Sequence, residues 1–147
     1  MANQVEWVGD VTIVHSGSTE RAKQDIDAIF GVNEISTGSK HLSMLVTMFG
    51  PGEFSNAHYH IDHESALYGI TGSVHMFWGA ELEHDLILSE GDFLYIPAFC
   101  PHKSFNRSHT VDARFVTART DALEQERVVV VPEIDDGRCD ARVDYLD

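Results

Sequence analysis

Between Asn56 and Tyr68 the chain reads NAHYHIDHESALY, so His58, His60, His63 and Glu64 fall within seven residues. Protonated imidazoles this close repel one another, and neutral ones need hydrogen-bond partners once buried. A divalent cation answers both problems. His58 and His60, two apart, point to one face if they lie on a strand. His102, more than forty residues further on, supplies a third imidazole if a neighbouring strand carries it. Zinc, iron, nickel and manganese all accept three or four nitrogen and oxygen ligands and leave positions for water or substrate. Open positions give such a site a catalytic rather than a structural character.

Strands must then do the positioning. Short apolar or alternating runs follow one another along the chain, each closed by turn residues: HLSMLVTMF before GPGE, ALYGI before TGS, VHMFW before GAE, HDLILS before EGD, then FLYIP and DARFVTA. Runs of this length and spacing indicate an all-β sandwich or barrel. Gly52, just after Pro51 and six residues before His58, suits a tight turn that starts the histidine-bearing strand. One short helix is expected over residues 19–29, where STERAKQDIDAIF opens on Ser and Thr and carries Ala22, Ile26, Ile29 and Phe30 near helical spacing. TDALEQER suggests a helical turn and VVVV a late strand. Met44, Met48, Phe77, Trp78 and Phe99 read as core or cavity wall.

The pattern resembles the cupin family. Its first motif runs Gly, five residues, His-x-His, three or four residues, Glu, six residues, Gly; Gly52, His58, His60 and Glu64 match it, with Gly72 one residue late. Its second runs Gly, five residues, Pro-x-Gly, two residues, His, three residues, Asn; Gly91, Pro97, His102 and Asn106 match it, with Phe99 in place of the glycine. The resemblance implies a jelly roll or conical β-barrel, read as one domain over residues 1–147 with its motif core at 52–106. It implies one divalent metal per chain, zinc ahead of iron, nickel or manganese. It also implies a homodimer, since the family commonly pairs through edge strands and terminal segments.

The late glycine matters chemically. Counting back from Gly72, the family's metal carboxylate falls on Ser65 rather than Glu64. In a regular strand His63 shares that face and Glu64 points away; a β-bulge could turn Glu64 back inward. Two ligand sets therefore stand. One is His58, His60, His63 and His102; the other is His58, His60, Glu64 and His102.

Charge and composition set the bounds. A net charge of −14 excludes nucleic acid and anionic membranes as natural partners. An apolar fraction of 43% with 23% charged residues is that of an ordinary globular protein. No apolar run reaches the roughly 18 residues of a membrane helix. The segment MANQVEWVGD lacks a basic and then an apolar region, so no signal peptide is expected. Cys100 and Cys139 make no disulfide framework, and the chain reads as cytoplasmic with reduced thiols. Residues 133–147 form an acidic C-terminal extension, expected to be solvated or to pack on a partner subunit.

The expected function is metal-dependent chemistry on a small oxygenated organic substrate. An all-imidazole set favours Lewis-acid activation of a carbonyl, as in a cyclase, isomerase or lyase. The resemblance extends this to aromatic, polyketide-like substrates. Two histidines with Glu64 would instead suit a non-haem iron dioxygenase. A non-catalytic binder of a sugar or small acid is the third reading.

Overall fold

A computed structural model describes residues 4–16, 18–123 and 125–147. Strands β1 (Gln4–Val8) and β2 (Val11–Ser16) form a two-stranded hairpin. The next strands are β3 (Ser18–Arg21), β4 (Asp27–Val32), β5 (Ser43–Phe49), β6 (His58–His60) and β7 (Ser65–Thr71). They are followed by β8 (Ser73–Trp78), β9 (His84–Ser89), β10 (Phe93–Ile96), β11 (His102–Asn106), β12 (Ala113–Arg119) and β13 (Val128–Val130). Two antiparallel sheets result, ordered β10-β7-β12-β5-β4-β3 and β13-β6-β11-β8-β9. The chain is nearly all β, a jelly roll.

Alternation along the strands explains why they sit where they do. In β5, Ser43, Leu45, Thr47 and Phe49 are buried, while Met44 is exposed and Met48 half-buried. β12 repeats the pattern with Ala113, Phe115, Thr117 and Arg119. Phe30, Leu45, Phe49 and Phe115 from one sheet meet Val74 and Leu88 from the other, forming the core between them.

Residues 19–29 do not form the expected helix. Ala22 and Ile26 flank a tight turn, closed by Ala22 N–H donating to Ile26 O (2.8 Å), in which Asp25 takes a φ of 64°. From Asp27 the period is two: Ala28 and Phe30 point inward and pair across to Thr47 and Leu45. An apolar stripe compatible with a helix gave way to the backbone partners that β5 offers. The one α-helix among the described residues is a single turn, Glu34–Thr37, capped by Asn33, whose side chain accepts from Ser36 N–H (2.8 Å). The described residues of 120–127 form turns rather than helix, and residue 124 lies outside the described set. The strand expected from VVVV is β13. Among the described residues no helix is long and apolar enough to cross a membrane.

The acidic C-terminal segment packs on its own chain. It covers the outer face of the five-stranded sheet and closes a second core of Ala57, Phe77, Leu82, Phe105, Ile134 and Cys139. β11 is consequently buried on both faces, and all five of its residues are inaccessible. Lys103, on the outer side, pairs with Asp135 of the tail and lies over the rings of Phe54 and Phe105 (4.7 and 5.0 Å). His75, on the same outer face, donates through Nε2 to Asp85 (2.7 Å) and accepts at Nδ1 from the Asp144 N–H (3.0 Å). Arg107 donates to the Asp144 carbonyl and carboxylate of the tail, and the tail's own Arg142 reaches back to the Leu82 carbonyl and the Asp85 carboxylate. Asp135 and Asp144 of the tail thus find cations on the body of the protein, and its apolar Ile134 and Cys139 are buried there, so it does not stay solvated.

Phe77 is fully buried beneath this strap. Phe77→Ala should destabilise the fold by about 3–5 kcal/mol in denaturant unfolding, while leaving the metal content of purified protein unchanged.

Candidate metal centre

β6 is only three residues long, and its position is set by its neighbours. His58 pairs directly with His102 of β11, and β13 pairs with the other edge, Val130 opposite His58 and Val128 opposite His60. Upstream, Pro51 and Gly52 occupy the central positions of a turn closed by Glu53 N–H to Gly50 O (3.0 Å), with Gly52 at a φ of 70°. The turn expected at Gly52 is therefore present. Ala57 N–H donates to Asp135 of the tail (3.0 Å), which fixes the strand from its start.

His58, His60 and His102 converge. Each offers a ring nitrogen within 4.8 Å of the other two, and all three are buried. The His58 and His102 rings lie 4.2 Å apart between centroids, and His60 lies 5.1 and 5.5 Å from them. His58 Nδ1 donates to Asn56 O (2.7 Å) and His102 Nδ1 donates to Cys100 O (2.9 Å). A carbonyl only accepts, so each Nδ1 carries the proton and each Nε2 keeps its lone pair, which is how metal-ligating imidazoles are commonly held. Both nitrogens of His60 are buried with no hydrogen-bond partner. Orphaned buried imidazole nitrogens beside two tautomerically fixed rings fit a divalent cation.

His63 and Glu64 fall on opposite sides. His63 is buried against His60, with centroids 4.8 Å apart, and its Nδ1 lies 3.3 Å from an Asp121 oxygen. Its two nitrogens have no hydrogen-bond partner either, although it stands outside the group of three. Glu64 is exposed and accepts from the Tyr95 hydroxyl (2.6 Å). The bulge that could have turned it inward occurs later. Against β12, Thr71 pairs with Arg114 and Gly69 with Phe115, so Ile70 is the extra residue, while Ser65 pairs regularly with Arg119. Ser65 is accordingly buried.

Arg119 is the residue the sequence reading missed. It is 6% exposed, its Nε donates to Ser65 Oγ (3.2 Å), and with His58 and His102 it lines a cavity of about 40 Å³ between the sheets. The signal was available: DARFVTAR places an arginine on the inward phase of an alternating strand. The cavity's far end is apolar, with Phe49, Met76 and Phe115. Of the residues expected from sequence as core or cavity wall, Phe77 is core, on the outer side of its sheet, Met48 and Trp78 are half-buried, and Met44 and Phe99 are exposed. Phe99 adopts a φ of 61°, the glycine-favouring region, where the second motif has glycine; its N–H donates to His60 O (2.8 Å) and holds that turn over the site. Burial pushes the Cys100 and Cys139 thiols up, so neither is poised as a nucleophile.

Burial is the main cause that lowers the histidines' basicity, and the nearby Arg119 charge adds to it. His58 and His60 titrate well below the ordinary value, His63 below it, and His102 falls from 6.5 to about 4. Neutral rings are the form that binds metal.

With this geometry described, the comparisons identify its class. The Cupin domain profile (Cupin_2) matches residues 45–119, just over half of the chain. The chain belongs to the cupin family, and within it carries a buried three-histidine cluster of metal-binding type. Oxalate decarboxylase from Bacillus subtilis superposes with a TM-score of 0.63 at 21% identity, over 78% of this chain and 30% of that one. A recombinant oxalate oxidase in complex with glycolate gives 0.65 at 16%, over 86% and 63%. An uncharacterized conserved protein with a double-stranded β-helix domain from Klebsiella pneumoniae gives 0.61 at 13%, over 76% and 89%. This chain thus spans less than a third of the decarboxylase, and these likenesses establish the fold. No curated protein matches it.

The lowered basicity predicts a pH dependence for metal-free protein. Above pH 6.5 His102 is neutral whether folded or unfolded. As pH falls the unfolded chain protonates first, so stability declines from about 6.5 to about 4. His102 alone should remove about 3 kcal/mol across this window. Urea unfolding of chelator-treated protein at pH 7, 5.5 and 4 checks it.

Proposed function

We propose that this cupin is a metal-dependent enzyme in which His58, His60 and His102 hold one divalent ion, zinc ahead of iron, nickel or manganese, with His63 rather than Glu64 as the fourth ligand. The observation that carries the reading is the pair of unpartnered buried nitrogens on His60, facing two imidazoles whose Nδ1 protons are already committed to backbone carbonyls. The burial of His63 against His60, and the hydrogen bond that keeps Glu64 on the solvent side, support the choice of fourth ligand. An ion held by neutral imidazoles keeps its full dipositive charge, which polarises a carbonyl or acidifies a bound water. The reaction class that follows is cyclase, isomerase or lyase chemistry on a small oxygenated substrate.

The chain's own residues do the rest. His58 and His102 are oriented by Asn56 O and Cys100 O, and Phe49, Met76 and Phe115 give the cavity an apolar wall for the substrate's carbon skeleton. A cavity of about 40 Å³ suits a small oxygenated substrate, and the aromatic, polyketide-like class stays the family resemblance's suggestion. The dioxygenase alternative needs Glu64 as an anionic ligand. The binder alternative shares the site and differs only in turnover. We also place the protein in the cytoplasm, with Cys100 and Cys139 as free thiols, and read it as a homodimer. The outer face of the six-stranded sheet supports the dimer: Phe93, Tyr68, Val116, Val46 and Ile29 lie in one cross-strand row, and Phe93 is 84% exposed.

Replacing His58, His60 or His102 with Ala should each lower bound zinc at least about tenfold while leaving the circular dichroism of the β-fold intact. His63→Ala should weaken zinc more than Glu64→Ala. Elemental analysis and competitive zinc titration decide it; a triple histidine variant that keeps stoichiometric metal, or a Glu64→Ala variant that alone loses it, contradicts the reading. Activity that consumes oxygen and survives only with iron would favour the dioxygenase.

A further inference from the structure

His63 does not stand alone in its corner. Its Nδ1 lies 3.3 Å from Oδ2 of Asp121; both atoms are buried, and neither makes a hydrogen bond among the described residues. Its other nitrogen, Nε2, is buried and without a partner as well, on a ring whose centroid is 4.8 Å from that of His60. A donor and an acceptor at this separation need only a small turn of the ring to align, and bonds of this kind are often loose before a ligand arrives. The Ile61 carbonyl, two residues back and the counterpart of those that hold His58 and His102, bears on the same ring without making a well-formed bond.

Asp121 is aimed by its surroundings. Oδ1 accepts from the Leu123 N–H (3.0 Å), which leaves Oδ2 for the histidine. The exposed Arg127 brings Nε to 3.5 Å of the same Oδ2, so the carboxylate is not an isolated charge. Backbone bonds hold the two segments together on either side. Glu64 N–H donates to Thr120 Oγ1 (3.0 Å), Thr120 N–H to Glu64 O (3.2 Å) and Ile61 N–H to Arg127 O (3.0 Å). His63 and Asp121 therefore face each other through contacts that neither side chain supplies. A carboxylate behind an imidazole accepts the Nδ1–H, leaves the Nε2 lone pair free and fixes the ring's direction, which is the usual support of a metal-ligating histidine.

We propose that Asp121 is the positioning residue for His63: it accepts the Nδ1–H, sets Nε2 toward the space shared with His60, and so makes His63 a ligand while itself staying outside the coordination shell. Asp121 lies beyond both sequence motifs, and the proposal deepens the metal reading of the site and rests on it. The Leu123 N–H makes the claim specific. In Asp121→Asn the amide oxygen stays on that N–H, so the amide NH₂ turns to the ring and meets Nδ1 as a donor. Nδ1 must then accept, and the ring proton moves to Nε2, the nitrogen assigned to the ion.

Competitive zinc titration of the full chain reads the effect, with wild type, Asp121→Asn, His63→Ala and the double variant side by side. Asp121→Asn should weaken zinc binding about 10–100-fold, and the double variant should bind no more weakly than His63→Ala alone. Nitrogen NMR of the imidazoles reads the cause. In zinc-loaded wild type the His63 proton should sit on Nδ1, far downfield as for a proton bonded to a carboxylate, and in Asp121→Asn it should sit on Nε2. A folded Asp121→Asn that binds zinc as tightly as the wild type and keeps Nδ1 protonated overturns the proposal. Additive losses in the double variant overturn it too. So does a carboxylate oxygen in the wild-type zinc shell that disappears in Asp121→Asn, since Asp121 would then be a ligand. These outcomes leave the metal reading standing, whereas a wild type that takes up no zinc sinks that reading and this proposal with it. If Asp121→Asn does not fold, the wild-type resonance decides: a His63 proton on Nε2, or on Nδ1 at an ordinary position, overturns the proposal.

Discussion

Four imidazoles are buried, and the structure is arranged around that cost. A buried polar nitrogen without a partner loses about 1–3 kcal/mol relative to one that is satisfied. His58 and His102 meet half of this demand through their backbone carbonyls; His60 has no hydrogen-bond partner, and His63 has only the Asp121 oxygen 3.3 Å from its Nδ1. The strands that carry them are held accordingly. β6 is clamped between β11 and β13 and anchored by Asp135 of the tail, and β11 is sealed on both faces. Such over-determination is what lets a protein hold unsatisfied groups in place for a ligand.

The tail is central to this arrangement. By laying Ile134 and Cys139 over Phe77 and Phe105 it gives the five-stranded sheet a second core, and by meeting Lys103 and Ala57 it fixes the register of the histidine strands from behind. A segment with strong acidic character therefore supports the histidine site from behind. The two are linked through β11, whose alternate residues His102 and Lys103 face the cavity and the tail.

Much of this was legible in the chain. Period-two alternation located the main strands, and the spacing of His58, His60 and His102 with the turn at Gly52 predicted their convergence. What was not legible depended on long-range partners. Residues 19–29 carry a pattern that suits a helix, and only the free edge of β5 makes a strand the better solution. The side of the sheet that Phe77 faces depends on a tail folding back from the far end of the sequence. Glu64 and His63 could be ranked only by locating the bulge, and Ile70 carries no sign of it in its type. Arg119 differs from these: it stands on a regular inward phase of β12, yet a cation is neither a usual metal ligand nor a usual core residue, so its type does not announce its place.

The site that emerges departs from its family motif, with a serine bonded to an arginine where a carboxylate is expected and the acid next to it turned to solvent. The central claim is that the buried imidazoles are a metal centre without an anionic protein ligand. X-ray absorption at the zinc edge of the metal-loaded protein tests it most directly. The account predicts one zinc per chain, with a shell of imidazole nitrogens at about 2.0–2.1 Å and the multiple-scattering pattern of several histidines. Protein that retains no zinc after dialysis, or a shell dominated by carboxylate oxygen that disappears in Glu64→Ala, would contradict it.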